Sequence, residues 1–309
     1  MPQARCGSRT GRLERHSDEA MINGSTGLVG LLGNPVQHSL SPAMQNAALQ
    51  ALGLNWRYLA LPCAGPRLPE VLQGLQAVGC RGLNVTIPHK QAVTSLCNEL
   101  CDAARRLQAV NTLIPDEKDG WRGTNTDVEG FLAPLGGSER WRNRRAVVIG
   151  CGGSARAVVA GLQTLDLSSI QVIGRRSEAL ISFMADLQLE SAPLSSCLDT
   201  DETVTTVLDQ ADLVVNTTPV GMAKHGDAEA VPLAPDLWDR LPNQATLYDL
   251  IYTPRPTAWL RWGQRRGHRC IDGLEMLVQQ GAASLRFWSG IDDVPVEIMR
   301  QAAENALST

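Results

Sequence analysis

The chain has 309 residues, 43% of them hydrophobic, which is enough for two hydrophobic cores. Its 28 Lys and Arg residues against 32 Asp and Glu give a net charge of −4, which argues against a nucleic-acid partner and an anionic membrane surface. No stretch approaches the roughly 18 consecutive apolar residues that a membrane-spanning helix requires.

Residues 1–24 are predicted to form an extension, most simply a disordered tail. Four arginines lie among Ser, Thr and Gly near its start, without the apolar segment of a secretory signal. A translation start at Met21 would remove most of the extension. Because its early part lacks acidic residues, a transit peptide also stays open.

The eight cysteines include no Cys-x-x-Cys pair, and the five histidines are scattered. Cys97 and Cys101, four residues apart, can share a helix face, but two further ligands with metal-site spacing are missing. We therefore expect free thiols in a reducing, cytoplasmic compartment and no bound metal.

The first folded segment reads as a strand, a turn and a helix. Leu28–Leu32 is a short apolar run typical of a buried parallel strand. Ser41 before Pro42 is the pattern of an N-cap followed by proline at the first helical position. Apolar residues then recur at helical spacing until Gly53, which ends the helix.

Further strands and helices alternate along the chain, which predicts two mostly parallel α/β sheets with a break near residues 126–130. The last stretch, from Leu274 to Thr309, keeps helical spacing only. In the first half, the further predicted elements are a strand at 56–61, a helix at 68–78 and a strand at 82–85. In the second half, they are strands at 146–149, 170–173, 213–216 and 246–249, and a helix that follows the strand at 146–149.

A glycine loop lies between a predicted strand and a predicted helix. It reads Gly150-Cys151-Gly152-Gly153-Ser154-Ala155 and matches G-x-G-x-x-A in the context of a dinucleotide-binding turn. Gly150 permits the tight turn, and Gly152 lets backbone N–H groups approach a pyrophosphate at the helix N-terminus. A glycine-rich turn without a ligand is the alternative.

The end of the following strand indicates which dinucleotide binds. A ribose 2′-hydroxyl would call for Asp or Glu there, but the sequence has Gly174-Arg175-Arg176-Ser177. Two guanidinium groups and a hydroxyl suit a 2′-phosphate, so NADP is the predicted cofactor. An exposed basic turn is the alternative.

Polar side chains at the strand ends of the first half predict a substrate site. Ser39 and Ser41 precede a helix N-terminus, where two hydroxyls and the helix dipole suit a carboxylate, although Ser41 is explained equally well as a cap. Lys90 follows a strand end, where an enclosed lysine can donate and accept a proton, although a solvated surface lysine is the usual case. Asp127 lies at the crossing between the two halves, a favoured place for a ligand cleft.

The chain resembles the shikimate dehydrogenase family from about Gly30 to its C-terminus. Several motifs in order carry the resemblance, which makes it far more specific than any single motif. They are Gly33-Asn34-Pro35, His38 to Pro42, Asn84 to Lys90, Ala109 to Thr112, Gly123 to Gly130, the glycine loop, Asn216 to Met222, Tyr248 to Tyr252, and Asp272 to Gln280.

The resemblance implies reversible NADP-dependent oxidation of shikimate to 3-dehydroshikimate, a step of aromatic amino acid (chorismate) biosynthesis. Lys90 and Asp127 match the catalytic pair of the family. The positions that bind the substrate carboxylate are matched by Ser39, Ser41 and Tyr252. Those that hold the ring hydroxyls are matched by Asn84, Thr86, Asn111 and Gln280.

The resemblance also assigns cofactor positions beyond the glycine loop. Arg175 matches the arginine of the family's Asn-Arg-Thr phosphate turn, in which Gly174 and Arg176 replace the usual Asn and Thr. Further cofactor-binding positions are matched by Thr217, Met222 and Gly273, the last two beside the nicotinamide. A second departure is Gln45, where a histidine is usual, and it bears only on local helix packing.

The expected fold is therefore two α/β domains behind the extension. A substrate-binding domain with an open, mostly parallel sheet would comprise residues 25–127 and 272–309, because the C-terminal helices return to it. A Rossmann-like NADP domain would comprise residues 128–271. The partner is a small molecule, and a homodimer stays open.

Three other functions fit parts of the sequence. A relative that prefers quinate would need room for an extra hydroxyl near Ser39 and Ser41. A non-catalytic NADP-sensing protein would not need Lys90 and Asp127 together. A folate-linked dehydrogenase of similar layout does not account for the two serines.

Overall fold

The computed structural model describes residues 22–187, 193–223 and 226–308. The predicted extension therefore lies outside the described residues except for its last three positions. In the described ranges, no helix is long and apolar enough to cross a membrane.

The first half of the chain builds a six-stranded sheet in the order β2-β1-β3-β5-β6-β4. Its strands are β1 (Gly27–Gly33), β2 (Trp56–Pro62), β3 (Gly82–Val85), β4 (Glu99–Leu100), β5 (Thr112–Pro115) and β6 (Trp121–Thr124). Its helices are α1 (Ser41–Ala51), α2 (Leu68–Ala77), α3 (Asp102–Leu107) and α4 (Asp127–Leu132). The pairs β1–β2, β1–β3 and β4–β6 are parallel, whereas β3–β5 and β5–β6 are antiparallel.

The second half builds another six-stranded sheet, in the order β12-β11-β10-β7-β8-β9, with every pair parallel. Its strands are β7 (Arg145–Ile149), β8 (Ser169–Gly174), β9 (Leu194–Leu198), β10 (Leu213–Asn216), β11 (Thr246–Asp249) and β12 (Arg269–Ile271). Its helices are α5 (Gly153–Leu162), α6 (Ser177–Asp186), α7 (Thr203–Asp209), α8 (Pro235–Trp238) and α9 (Ala258–Arg265). Numbered from β7, this is the strand order of a Rossmann fold.

The two C-terminal helices pack against the first sheet. They are α10 (Leu274–Ser289) and α11 (Val296–Leu307), and both contact α1. One buried cluster joins Val29 of β1 and Met44 of α1 to Leu285 of α10 and Met299 of α11. The other face of the first sheet and the two faces of the second each have a cluster of their own. The predicted fold class, including the return of the helices, is confirmed.

Most predicted elements lie within a residue or two of the observed bounds, but one local prediction is wrong. Ser41 is not the N-cap of α1, because the helix begins at Ser41 and Leu40 occupies the capping position. The capping contact comes from Ser39, whose Oγ accepts a hydrogen bond from the Ser41 backbone N–H at 3.2 Å. Ser39 thus has the local role that the pattern gave to Ser41.

The hairpin of β5 and β6 was not predicted, although its turn has a sequence signal. The connection runs over residues 116–120, and Asp119 and Gly120 at its end both have positive φ, 63° and 105°, a conformation that Asp tolerates and Gly favours. The strands β4, β9 and β12 were also not predicted. They are short or half-exposed, so their apolar pattern is weak.

Candidate active site

A cleft of about 360 Å³ opens where the carboxyl ends of the two sheets face each other. Ligands of open α/β sheets bind at this edge of the strands. From the first sheet and the returning helix, the predicted residues that line the cleft are Ser39, Ser41, Asn84, Thr86, Lys90, Asn111, Asp127 and Gln280. From the second sheet and its junction with α10, they are Ser154, Met222, Tyr252 and Gly273.

Lys90 and Asp127 form an ion pair inside the cleft. Lys90 Nζ lies 2.6 Å from Asp127 Oδ2, and the side chains are only 16% and 6% exposed. Lys90 follows β3, whereas Asp127 is the first residue of α4, so two separate elements bring the pair together. The other carboxylate oxygen, Oδ1, accepts a hydrogen bond from Asn111 Nδ2 at 2.8 Å. Asp127 is therefore fixed by two donors, which orients the ammonium group.

A buried network lies behind Asn84 and Asn111. Asn84 Oδ1 accepts a hydrogen bond from Tyr58 Oη at 2.8 Å, and Asn84 Nδ2 donates to Ser284 Oγ at 2.8 Å. Ser284 Oγ also lies 2.8 Å from Thr112 Oγ1, which donates to Asn111 Oδ1 at 2.9 Å. Buried amides that are hydrogen-bonded on both sides keep one orientation. The network therefore fixes the two asparagines that face the cleft.

Ser39 and Ser41 lie at the start of α1, and Tyr252 lies on the loop between β11 and α9. All three line the cleft, so the structure brings together the residues matched to carboxylate binding. Burial raises the pKa of Tyr252. Its phenol therefore keeps its proton at neutral pH and can donate a hydrogen bond.

The glycine loop connects β7 to α5. Gly150 has a φ of +105°, and a side chain there would clash with Thr217 Oγ1, so this position requires glycine. Thr217 Oγ1 itself donates to the Ile149 carbonyl at 2.8 Å. Around Gly152 and Gly153 no atom would meet an added Cβ within 4 Å. The backbone at the start of α5 thus borders open space on this side, which leaves room for a group at the helix N-terminus.

Arg175, Arg176 and Ser177 follow β8 and are exposed. In the described ranges, neither arginine forms an ion pair. They do not line the substrate cleft. Because β7 and β8 are adjacent and parallel, the arginine turn and the glycine loop lie at the same sheet edge. This places a positive surface beside the loop.

The junction of the second sheet with α10 requires a glycine. A Cβ on Gly273 would lie 2.0 Å from the Leu250 carbonyl oxygen, so no other residue fits without moving the backbone. Gln280, two turns along α10, accepts from Asn111 Nδ2 at 3.4 Å and donates to the Leu277 carbonyl at 2.7 Å. Ala155 is fully buried in the second core, so its part in the loop is helix packing.

Several residues of the site were missed at the level of the sequence. The cleft is also lined by Val36, His38, Ile87, Leu250, Met276 and Leu277. Of the buried network, Thr112 lies in a quoted motif, whereas Tyr58 and Ser284 belong to no motif. The departure at Gln45 has a structural role, because its Nε2 donates to the Gly281 carbonyl at 2.9 Å and joins α1 to α10.

The described cysteines, which exclude Cys6, are all free, and three of them are buried. Among the described residues no cluster of His, Cys, Asp or Glu could hold a metal ion. Cys97 and Cys101 instead form local hydrogen bonds, Cys97 Sγ with the Val93 carbonyl and Cys101 Sγ with the Ala104 backbone N–H.

Comparisons of the sequence with known proteins identify the family to which the chain belongs. The model of the shikimate dehydrogenase substrate binding domain matches residues 31–113, and that of the shikimate 5′-dehydrogenase C-terminal domain matches residues 273–304. A shikimate dehydrogenase (NADP(+)) of Prochlorococcus marinus (strain MIT 9215) is 45% identical over 93% of this chain and 100% of its own length. The chain belongs to the shikimate dehydrogenase family.

Two other members of the shikimate dehydrogenase family are similar to this chain, one in sequence and one in structure. The Synechocystis (strain PCC 6803) shikimate dehydrogenase (NADP(+)) is 49% identical over 91% of this chain and 96% of its own length. A solved structure of shikimate 5-dehydrogenase from Thermus thermophilus, in complex with NADP(H) and shikimate, is 33% identical with a TM-score of 0.79. The match covers 91% of this chain and all of that one.

Proposed function

We propose that the chain catalyses the reversible, NADPH-linked reduction of 3-dehydroshikimate to shikimate in aromatic amino acid biosynthesis. The observation that carries the proposal is the enclosed pair of Lys90 and Asp127, whose charged atoms lie 2.6 Å apart in a cleft that Ser39, Ser41 and Ser154 of the glycine loop also line. Membership of the family supports the same reaction, since its relatives are shikimate dehydrogenases (NADP(+)).

The residues of the second sheet fit NADP. Gly150 makes the tight turn, and Gly152 and Gly153 leave the space that a pyrophosphate needs, with Ser154 and Ala155 in the first turn of α5. Arg175 and Arg176, with Ser177, would hold the 2′-phosphate, because guanidinium groups bind phosphate through paired hydrogen bonds. Thr217, Met222 and Gly273 would lie along the nicotinamide half. When bound, NADP supplies the hydride chemistry.

The residues of the first sheet would hold the substrate in one orientation. Ser39 and Ser41, with Tyr252 from the opposite side, would donate hydrogen bonds to its carboxylate. The ring hydroxyls would contact the remaining polar lining, namely Asn84, Thr86, Asn111 and Gln280. Because Asn84 and Asn111 are fixed from behind, little ordering remains to be done when the substrate binds.

Lys90 would perform the proton transfer. In the reduction, the Lys90 ammonium would donate a proton to the carbonyl oxygen as the alcohol forms and would be left as a neutral amine; in the reverse reaction that amine would accept the hydroxyl proton. Asp127, itself held by Asn111, would keep Nζ pointed at that hydroxyl. The domains would divide the two roles: residues 25–127 with 272–309 would bind the substrate, helped by Tyr252, and residues 128–271 would bind NADP, helped by Gly273.

The direct test is an absorbance assay of nicotinamide reduction. We expect reduction when the full chain is mixed with NADP⁺ and shikimate, and slower reduction with NAD⁺ or with quinate. Reduction with quinate alone would overturn the proposed substrate, and no reduction with any pair would favour the NADP-sensing alternative.

We also propose a cytoplasmic location and a homodimer for this chain. The cysteines in the part of the chain that the structure describes are free, which supports a reducing compartment. Cell fractionation and light scattering measure location and oligomeric state directly.

A further inference from the structure

Tyr252 reaches the substrate cleft on a loop that belongs to the other sheet. The loop leaves β11 at Asp249 and ends at Thr257, the N-cap of α9. Tyr252 nevertheless packs against the cluster formed by β1, α1, α10 and α11. Its position therefore depends on how the loop is held against those elements.

The base of the loop is closed by Asp249. Its Oδ2 accepts a hydrogen bond from Thr257 Oγ1 at 2.8 Å, and its Oδ1 accepts from the Ile251 backbone N–H at 3.2 Å. Asn216 Nδ2 donates to the same Oδ1 at 3.0 Å. These contacts fix the two ends of the loop relative to the second sheet. They do not fix its middle relative to the first sheet.

A backbone hydrogen bond from the Gly273 N–H to the Ile251 carbonyl at 3.1 Å ties the start of the loop to the residue before α10, and Arg255 adds a second connection on the other side of Tyr252. Its Nε donates to Asp272 Oδ2 at 2.5 Å, and its Nη1 donates to Glu304 Oε1 at 3.1 Å. Glu304 belongs to α11, and Asp272 Oδ1 accepts from the Leu274 backbone N–H at 3.0 Å at the start of α10. One guanidinium three residues from Tyr252 thus holds the loop to both C-terminal helices.

Arg255 does not line the cleft, so it has no direct contact with the substrate space. The side chains of Arg255 and Glu304 are each 38% exposed, and that of Asp272 is 20% exposed. Because water screens partly exposed charges, each ion pair is modest in strength. Two pairs on one planar group restrain direction as well as distance. The two ion pairs of Arg255 therefore restrain the loop and, with it, the nearby side chain of Tyr252.

We propose that Arg255 is a positioning residue that holds Tyr252 against the substrate carboxylate by fastening its loop to Asp272 and Glu304. The role of Tyr252 at the substrate carboxylate rests on the proposed function. The attachment of the loop to Asp272 and Glu304 by Arg255 does not. Arg255 acts on substrate binding and leaves the cofactor site and the proton-transfer pair unchanged.

The first test is the kinetics of Arg255→Met. We expect the KM for shikimate to rise about threefold to tenfold, as the loss of two partly exposed ion pairs implies. We expect kcat and the Kd for NADPH to stay within about twofold of wild type, since no catalytic contact is removed. Glu304→Gln, which leaves the Asp272 pair in place, should raise KM less. The matched control is Arg240→Met, which removes a bidentate pair with Asp209 outside the cleft and should leave KM unchanged.

A double variant separates positioning from general stability. If Arg255 acts through Tyr252, Arg255→Met should add little to the KM of Tyr252→Phe. Full multiplication of the two effects, or a fall in kcat equal to the rise in KM, would overturn the proposal.

Hydrogen–deuterium exchange tests the fastening without any substrate. Peptides covering residues 250–257 should exchange faster in Arg255→Met than in wild type or Arg240→Met. Unchanged exchange would overturn the proposal even if shikimate is turned over normally. Faster exchange in a chain that does not oxidise shikimate would instead uphold the fastening and reject the proposed function.

Discussion

Under the proposed function, the chemistry of the cleft depends on one lysine, Lys90, held by one carboxylate, Asp127. Lys90 approaches from β3 and Asp127 from α4, and Asn111 fixes the carboxylate from the other side. A lysine with a free side chain would sample many rotamers, whereas this one keeps a single direction. The geometry therefore suits proton transfer to a substrate held at one place.

The proton-transfer role predicts a specific kinetic change in Lys90→Ala. Turnover should fall at least about a hundredfold, because positioned general acid–base catalysis contributes on that order. The KM for shikimate should change little, since the serines and Tyr252 remain. Steady-state assays with NADP⁺ and shikimate measure both quantities. Lys118→Ala, at an exposed turn, is the control, and near-normal turnover in Lys90→Ala would reject the assignment.

The sequence predicts the residues that face the cleft better than those that support them. Ser39, Lys90 and Asp127 stand next to strand ends or helix starts, where local pattern places polar groups at the sheet edge. Ser284 and Tyr58 contact Asn84 from 200 and 26 residues away along the chain. No local spacing encodes such contacts, so the buried network is visible only in the folded chain.

At the scale of elements, strongly apolar strands and glycine-bounded helices were predictable, whereas weak strands were not. β7 and β10 are buried along nearly all their length, and continuous apolar runs mark them clearly. β9 is half-exposed and contains two serines, so its pattern resembles a loop. The start of α1 was misassigned because two serines two residues apart offer the same capping chemistry.

The loop between β11 and α9 predicts a pH dependence of stability. Burial raises the pKa of Asp249 to about 7, against an ordinary value near 4 in the unfolded chain. The folded state thus binds this proton more tightly, so the contribution of Asp249 to stability is fully present below about pH 4 and is lost as the pH rises through about 7. In Asp249→Asn this contribution is absent.

The measurement is urea denaturation of both proteins between pH 5 and 8. Relative to Asp249→Asn, wild type should lose about 2 kcal/mol of unfolding free energy over that range. Asp236→Asn, at an exposed position of α8, serves as the control and should follow the wild-type profile. A constant difference between wild type and Asp249→Asn would contradict the prediction.

At the scale of the whole molecule, the first sheet is completed by the end of the chain. Leu274, Val278 and Leu285 of α10 and Met299 of α11 are buried against β1 and α1. Without these helices, that face of the sheet would expose a continuous apolar surface. The second sheet, by contrast, draws nearly all of its two clusters from residues between 131 and 271.

The predicted domain division can therefore be tested by comparing the first part of the substrate domain alone with the same part joined directly to the C-terminal helices. Residues 22–127 alone should fail to unfold cooperatively, because half of their core is missing. Residues 22–127 joined to 272–309 by a short Gly-Ser linker should show a cooperative urea transition. A short linker suffices because Thr126 Oγ1 donates to the Gln280 carbonyl at 3.0 Å, which leaves roughly 12 Å of helix length to span from there back to Asp272. Tryptophan fluorescence follows both chains, since Trp121 is buried in this part and Trp288 of α10 donates to the Leu113 carbonyl. A cooperative transition in residues 22–127 alone would show that the returning helices are dispensable and that the division is wrong.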